Sequence, residues 1–347
     1  MGIALDSVGM WDTTAGLPEQ VADASSSCVI ERADALPAHD EIESVVVLGM
    51  GGSGIAGDIV LAAAGPFMSV PAVVLKSYTL PAFITDTSLV IAVSYSGNTE
   101  ETVEAAAEAV AAGARLCVVS SGGELANLAE SAGAPYVAAL PGFAMPRSAI
   151  GAVAIPPLRI LEQVGLFPGA QSWIDNAVAQ LRRRRDQLIG DRSPALELAR
   201  RIGGTIPLVH SSAGIGSAAV TRWRCEINEN AKAPAMSSVQ PELCHNEVVG
   251  WGQHGDITRQ LITLVQLRHD HEHPQVARRF GLVEEIMREV MAGIETVEAE
   301  GEGELAQLFD LMLVGTFTAL HMAEHAGIDP GPIPILDSLK TQLAASR

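Results

Sequence analysis

Val45-Val46-Val47-Leu48-Gly49-Met50-Gly51-Gly52-Ser53-Gly54 passes from four apolar residues straight into a glycine cluster. A short apolar run ended by a turn signal reads as a fully buried strand. The glycines permit positive φ and close ligand approach, and the helix expected over 53–64 would offer free N–H groups to an anion. The pattern recurs at Ile91-Ala92-Val93-Ser94-Tyr95-Ser96-Gly97-Asn98-Thr99-Glu100-Glu101-Thr102. Two unbroken apolar strands, each followed by a polar turn and a helix, predict a parallel sheet covered on both faces.

Outward from these stretches, residues 72–75, 116–119 and 136–139 read as further strands, and 99–112 and 125–131 as helices. Residues 165–194 break the rhythm with a polar helix carrying Arg182, Arg183, Arg184 and Arg185. The rhythm then restarts: a strand at 206–209, a turn at 214–216, a helix at 218–228, a strand at 261–267 and a helix at 276–292. A helix over 305–325, a proline-rich loop at 329–334 and a short helix carrying Lys340 close the chain. The expectation is an α/β protein of two doubly wound domains, 1–165 and 195–347, joined by a helix within 166–194.

Bulk properties narrow the function. The 347 residues carry 22 Lys plus Arg against 41 Asp plus Glu, a formal charge of −19. That field repels polyanions and so argues against nucleic acid or anionic membrane as partner. The four arginines accordingly read as a solvated face or intrachain ion pairs. A small anion remains admissible, because nearby backbone dipoles outweigh distant, salt-screened charge. Cys28, Cys117, Cys225 and Cys244 show neither metal nor disulfide spacing, as expected of reduced thiols in a cytoplasmic protein. No secretion signal is read at the start of the chain. The apolar stretch 44–75 is divided by glycines, Asp58 and Pro66 into strand and helix lengths too short to span a membrane.

The first turn also fits G-x-G-x-x-G, but the following strand ends in Leu75-Lys76, where a dinucleotide site wants a carboxylate. No Walker A lysine follows either. In the second turn Asn98 and Glu101 have capping-box spacing. Ser94, Ser96 and Thr99, clustered around Gly97, have no such structural use and suit phosphate oxygens. With Gly52 and Ser53 they form the candidate phosphate site.

The serine-rich loop resembles that of the sugar isomerase (SIS) domain superfamily. From about residue 45 to 340 the chain is similar to the bifunctional phosphoglucose/phosphomannose isomerases. The likeness is carried by residues 49–53 and 94–102, Pro146-Arg147-Ser148-Ala149-Ile150-Gly151, Asn228-Glu229-Asn230, His245-Asn246-Glu247 and Leu339-Lys340. It implies two SIS domains and an aldose–ketose isomerase acting on a hexose 6-phosphate without metal or cofactor. It implies Glu229 as the base shuttling a proton between C1 and C2, although Glu226 lies one turn earlier and competes on residue type alone. His245 and Lys340 would open the ring, and Arg147 would stabilise the enediolate. His245 would come from the neighbouring subunit, making the enzyme a homodimer with shared sites. Two positions depart from the family pattern. Cys244 stands where asparagine is common, and Gly331 where a small hydroxyl residue is expected.

Two histidine groups invite a metal reading. His269, His271 and His273 alternate, but Pro274 ends the run and a polar loop is the better reading. His321 and His325 lack the H-E-x-x-H glutamate. A non-catalytic sugar-phosphate-binding protein and a nucleotide-dependent oxidoreductase are the competing functional classes.

Overall fold

The computed structural model describes residues 5–190 and 192–345. The first sheet comprises β1 (Ser44–Leu48), β2 (Ala72–Leu75), β3 (Ser88–Ser94), β4 (Arg115–Ser120) and β5 (Tyr136–Ala138), in the order β2-β1-β3-β4-β5. The second comprises β6 (Ile206–Ser212), β7 (Met236–Gln240), β8 (Ile262–Arg268) and β9 (Gly293–Glu298), in the order β7-β6-β8-β9. Every ladder in both sheets is parallel. The expected α/β class is thus the observed one, and it follows from strands such as β1 and β3 being buried at every position.

Two strands were not legible in the sequence. β7 reads Met-Ser-Ser-Val-Gln and β9 reads Gly-Ile-Glu-Thr-Val-Glu, with scarcely a fully buried residue between them. Both are edge strands, so neither needs an apolar run. The helix expected over 276–292 is Pro274–Met287, and the chain turns into β9 soon after it.

One hydrophobic core runs between the sheets. Val45, Val47, Ile91 and Val93 from the first join Val209, Val265 and Leu267 from the second. Helices Ile150–Val164, Ala170–Leu188, Ile215–Glu226 and Glu304–Ala326 contribute to the same cluster. Helix Gly51–Ala63 packs on both Ile150–Val164 and Ile215–Glu226, bringing the first glycine turn towards the second half of the chain. Helix Glu304–Ala326 is long and apolar enough to cross a membrane, yet 94% of its most apolar window is buried inside the protein.

The arginine helix takes part in this core. Arg184 places Nε and Nη2 on the two carboxylate oxygens of Asp310, each at 2.7 Å, while Gln180 Nε2 donates to Oδ1 at 2.7 Å and Glu300 N to Oδ2 at 2.9 Å. Arg182 and Arg185 pair with Glu19. Intrachain ion pairing therefore absorbs three of the four arginines. Asp310 is wholly buried in an apolar helix and is tolerated only because both oxygens are occupied. Asp310→Ala should cost about 3–5 kcal/mol by leaving Arg184 buried without its main partner, read as a lower midpoint in chemical denaturation.

Candidate active site

The order of the first sheet reverses between β1 and β3, so the loops leaving these two strands border the crevice where open α/β sheets bind ligands. After β3, Ser94 Oγ and Thr99 Oγ1 lie 2.8 Å apart, Gly97 N donates to Ser94 Oγ at 3.2 Å, and Asn98 N donates to Ser96 Oγ at 3.2 Å. Gly97 has φ +71°, and a Cβ there would stand 1.8 Å from the Gly122 carbonyl oxygen. Glycine is thus required at this turn by both conformation and space. Ser53 Oγ accepts from Tyr95 N at 3.2 Å, which ties the first turn to the second.

Asn98 does not cap the following helix. Its Oδ1 accepts from Glu124 N at 3.0 Å and its Nδ2 donates to the Ser96 carbonyl, so it joins this turn to helix Gly123–Ser131. The position where a dinucleotide site keeps its carboxylate belongs to Lys76, whose Nζ pairs with Asp58 at 2.5 Å.

Beyond the phosphate turns sits Arg147, at the start of a short 3-10 turn, Pro146–Ala149. A Cβ on Gly52 would come within 3.4 Å of the Arg147 Cα, so the first turn abuts this residue directly. The guanidinium is buried. Nε donates to Asn230 Oδ1 at 2.8 Å, Nη2 donates to the carbonyls of Pro330 (2.5 Å) and Gly331 (2.7 Å), and Nη1 lies 3.7 Å from Glu229 Oε2. Behind it, Asn230 Nδ2 donates to Glu226 Oε2, Arg222 pairs with Glu226 Oε1, and Arg222 Nη2 donates to the Arg147 carbonyl.

Helix Ile215–Glu226 ends earlier than its apolar pattern predicts and runs into a π-turn, Ile227–Ala231, closed by Lys232 in the left-handed region at φ +55°. The wider turn sets Glu226 and Asn230 inward while Glu229 stays half-buried. The two glutamates that compete by residue type are thereby separated. Glu226 is 1% exposed and committed to Arg222 and Asn230. Glu229 stays partly exposed beside Arg147. Burial, and then the neighbouring Glu226 charge, push its carboxyl above the usual glutamate range; Arg147, Arg222 and Lys232 pull it back only in part.

This geometry has relatives. Residues 191–343 match the model of the bacterial phospho-glucose isomerase C-terminal SIS domain. A protein of Caldicellulosiruptor bescii named bifunctional phosphoglucose/phosphomannose isomerase is 31% identical, over 96% of this chain and 99% of its own. The chain belongs to the bifunctional phosphoglucose/phosphomannose isomerase family. It is also 32% identical, over 61% of its length and 65% of the relative's, to a Sulfolobus acidocaldarius protein named D-glucosamine-6-phosphate 4-epimerase. Its fold is shared with the C-terminal domain of glucosamine-fructose-6-phosphate aminotransferase from Francisella tularensis, at a TM-score of 0.71 and 12% identity over 94% of this chain and 98% of that one.

Within this SIS fold the structure brings together Gly52, Ser53, Ser94, Ser96, Thr99, Arg147 and Glu229. It does not bring in His245 or Lys340. His245 is exposed at the end of the 3-10 turn Glu242–His245, and Lys340 is exposed on helix Pro334–Ala345; neither joins the Arg147 network. The lysine beside Glu229 is Lys232, whose Nζ donates to the carbonyls of Glu229 (2.5 Å) and Pro330 (2.9 Å). Its nearness to Glu229 in sequence was the one available signal, but only the fold places Pro330 against it. At Gly331 a Cβ would meet Val8 Cγ2 at 2.2 Å. The position where a hydroxyl residue was expected thus lies against an N-terminal segment packed onto that loop.

Of the three alternating histidines, His269 and His271 stack with ring centroids 6.3 Å apart, but each bonds a different group. His269 Nε2 lies 2.6 Å from Ser212 Oγ, His271 pairs with Glu304, and His273 Nδ1 accepts from Gln275 N as a helix cap. His321 packs on Trp11 and bonds Glu324. Gly97→Ala should add about 1–2 kcal/mol of left-handed backbone cost to the clash with Gly122. Its affinity for inorganic phosphate, measured by calorimetry, should fall about tenfold or more.

Proposed function

We propose that this chain interconverts glucose 6-phosphate, mannose 6-phosphate or both with fructose 6-phosphate, as a metal-independent homodimer. One observation supports the reading: Glu229, half-buried and with its carboxyl held above the usual glutamate range, lies 3.7 Å from the Arg147 guanidinium, and Gly52 of the first phosphate turn abuts Arg147. A base of raised pKa beside a fixed cation is what moving a carbon-bound proton requires.

In the proposed sequence the phosphate rests on Ser53, Ser94, Ser96 and Thr99. His245 of the second subunit, with Lys340, protonates the ring oxygen as the C1–O5 bond breaks and the O1 hydroxyl proton passes to water, giving the open aldehyde. Glu229 takes the C2 proton and a cis-enediolate forms, its negative charge facing Arg147. Glu229 returns the proton to C1, the O2 proton is lost and O1 gains one, completing the ketose. The mannose and glucose series converge on this intermediate because it has no stereocentre at C2. The family relatives' names support the reaction class, and the exposure of His245 supports delivery from a second subunit. The alternative is a sugar-phosphate-binding protein without turnover. It predicts tight binding and no conversion in an assay coupled to either 6-phosphate.

Glu229→Gln should abolish turnover while leaving the Kd for hexose 6-phosphate within about threefold, because the phosphate contacts are untouched. Full activity in that variant sinks the assignment. In the wild type, kcat/KM should fall on the acid side with an apparent pKa above the ordinary glutamate value, since the reactive form is the carboxylate and its pKa is raised. Mixing and re-equilibrating inactive Glu229→Gln and His245→Ala chains should restore about one quarter of wild-type activity. Half the dimers are then mixed, and each holds one intact site. No recovery would mean the site lies within one chain.

A further inference from the structure

His245 projects from a segment that the sheet holds in a specific way. Leu243, two residues earlier, is 2% exposed and anchors the segment in the apolar cluster formed by Leu208, Leu264, Val283 and Met287. Two residues later Glu247 turns back onto the strands. Its Oε1 lies 3.0 Å from Nε2 of His210 and 3.4 Å from Trp251 Nε1, and its Oε2 accepts from Ser238 Oγ. His210 is 1% exposed on β6 and opposes Ser238 of β7 in register, so both groups are held by the pairing of these two strands. Asn246, between the two, bonds Glu247 N through Oδ1 at 2.6 Å and Glu242 Oε1 through Nδ2 at 2.8 Å. His245 is thus an exposed residue of a turn pinned on both sides, by a core leucine before it and a bound carboxylate after it.

We propose that Glu247 is a positioning residue for His245: bound to His210, Ser238 and Trp251, it fixes the turn from which the imidazole reaches the reacting sugar. The imidazole that Glu247 touches is that of His210, so it acts through the backbone and not as a hydrogen-bonding partner of His245. Burial alone would raise the Glu247 carboxyl, but the hydrogen bonds from His210 and Ser238 outweigh it and hold the group below the usual range, so it stays ionised and bound across neutral pH. A segment otherwise rich in exposed residues, Val249 at 77% among them, gains from this anchor the sub-ångström placement that proton transfer needs.

The inference rests on the role given to His245 above, and a double-mutant cycle separates the two. The wild type, His245→Ala, Glu247→Ala, Glu247→Gln and the double variant His245→Ala/Glu247→Ala are assayed as full-length protein for conversion of fructose 6-phosphate to glucose 6-phosphate. Glu247→Ala should lower kcat about 100-fold with KM within about twofold, as for a misplaced catalytic group. Glu247→Gln, which keeps one acceptor for Trp251 or His210, should lose less. The double variant should be no slower than His245→Ala alone, because a positioning residue has nothing left to position. Losses that multiply in the double variant, or normal kcat in Glu247→Ala, overturn the proposal while the role of His245 stands. Normal turnover in His245→Ala removes that role and this proposal with it. Should Glu247→Ala fail to fold, the same cycle is read with Glu247→Gln.

Discussion

The site is organised by one constraint, the burial of the Arg147 guanidinium. A cation taken from water costs several kcal/mol unless its donors are met and its charge is balanced. Here they are met by Asn230 and the carbonyls of Pro330 and Gly331, with Glu229 and Glu226 supplying negative charge nearby. These groups come from two segments, 226–230 and 330–331, both remote in sequence from Arg147. Arg147 cannot be satisfied until the first sheet, the π-turn after helix Ile215–Glu226 and the C-terminal loop have all been placed. The residue that would face the reacting oxygens is therefore also the one that joins the two halves of the molecule.

The surrounding scaffold is suited to that task. Helices shared between the parallel sheets give one core that spans both, with a smaller apolar cluster on the outer face of each sheet. The Arg184–Asp310 pair crosslinks the arginine helix to the central buried helix by charge-assisted bonds on both carboxylate oxygens. A chain with a formal charge of −19 can still present an anion site, because at the β3 turn the nearest groups are hydroxyls and amides. The distant carboxylates are screened over about 8–10 Å at ordinary salt.

The parts of the fold that escaped sequence reading share a cause. β7 and β9 lie at sheet edges, where one side faces solvent and the apolar signal fades. Asn98 had the spacing of a helix cap but spends its side chain on Glu124 and Ser96, groups whose proximity depends on how two turns meet. The three alternating histidines suggested a shared face, but the chain turns at Asp270–His271, so His269 and His271 stack on each other while each bonds a different group and His273 caps the next helix. Lys232 escaped notice because its second partner, the Pro330 carbonyl, is remote in sequence.

By itself the sequence determined the strand–turn–helix units, the glycine and hydroxyl chemistry of the β3 turn, and the family to which the chain belongs. These are local properties: apolar runs, φ > 0 at Gly97, hydroxyls within a few residues of one another. Only the tertiary structure decided that Glu226 is spent on Arg222 and Asn230 while Glu229 stays partly exposed beside Arg147. Only it showed that a side chain at Gly331 would have to displace Val8, and that Glu247 is bound to a histidine on β6. The Gly331 and Glu247 contacts join groups tens or hundreds of residues apart, and Glu226, whose two partners lie within one turn of it, is desolvated only because Arg147 packs onto Arg222 and Asn230. That cost and its compensation are set by packing, which no local pattern encodes.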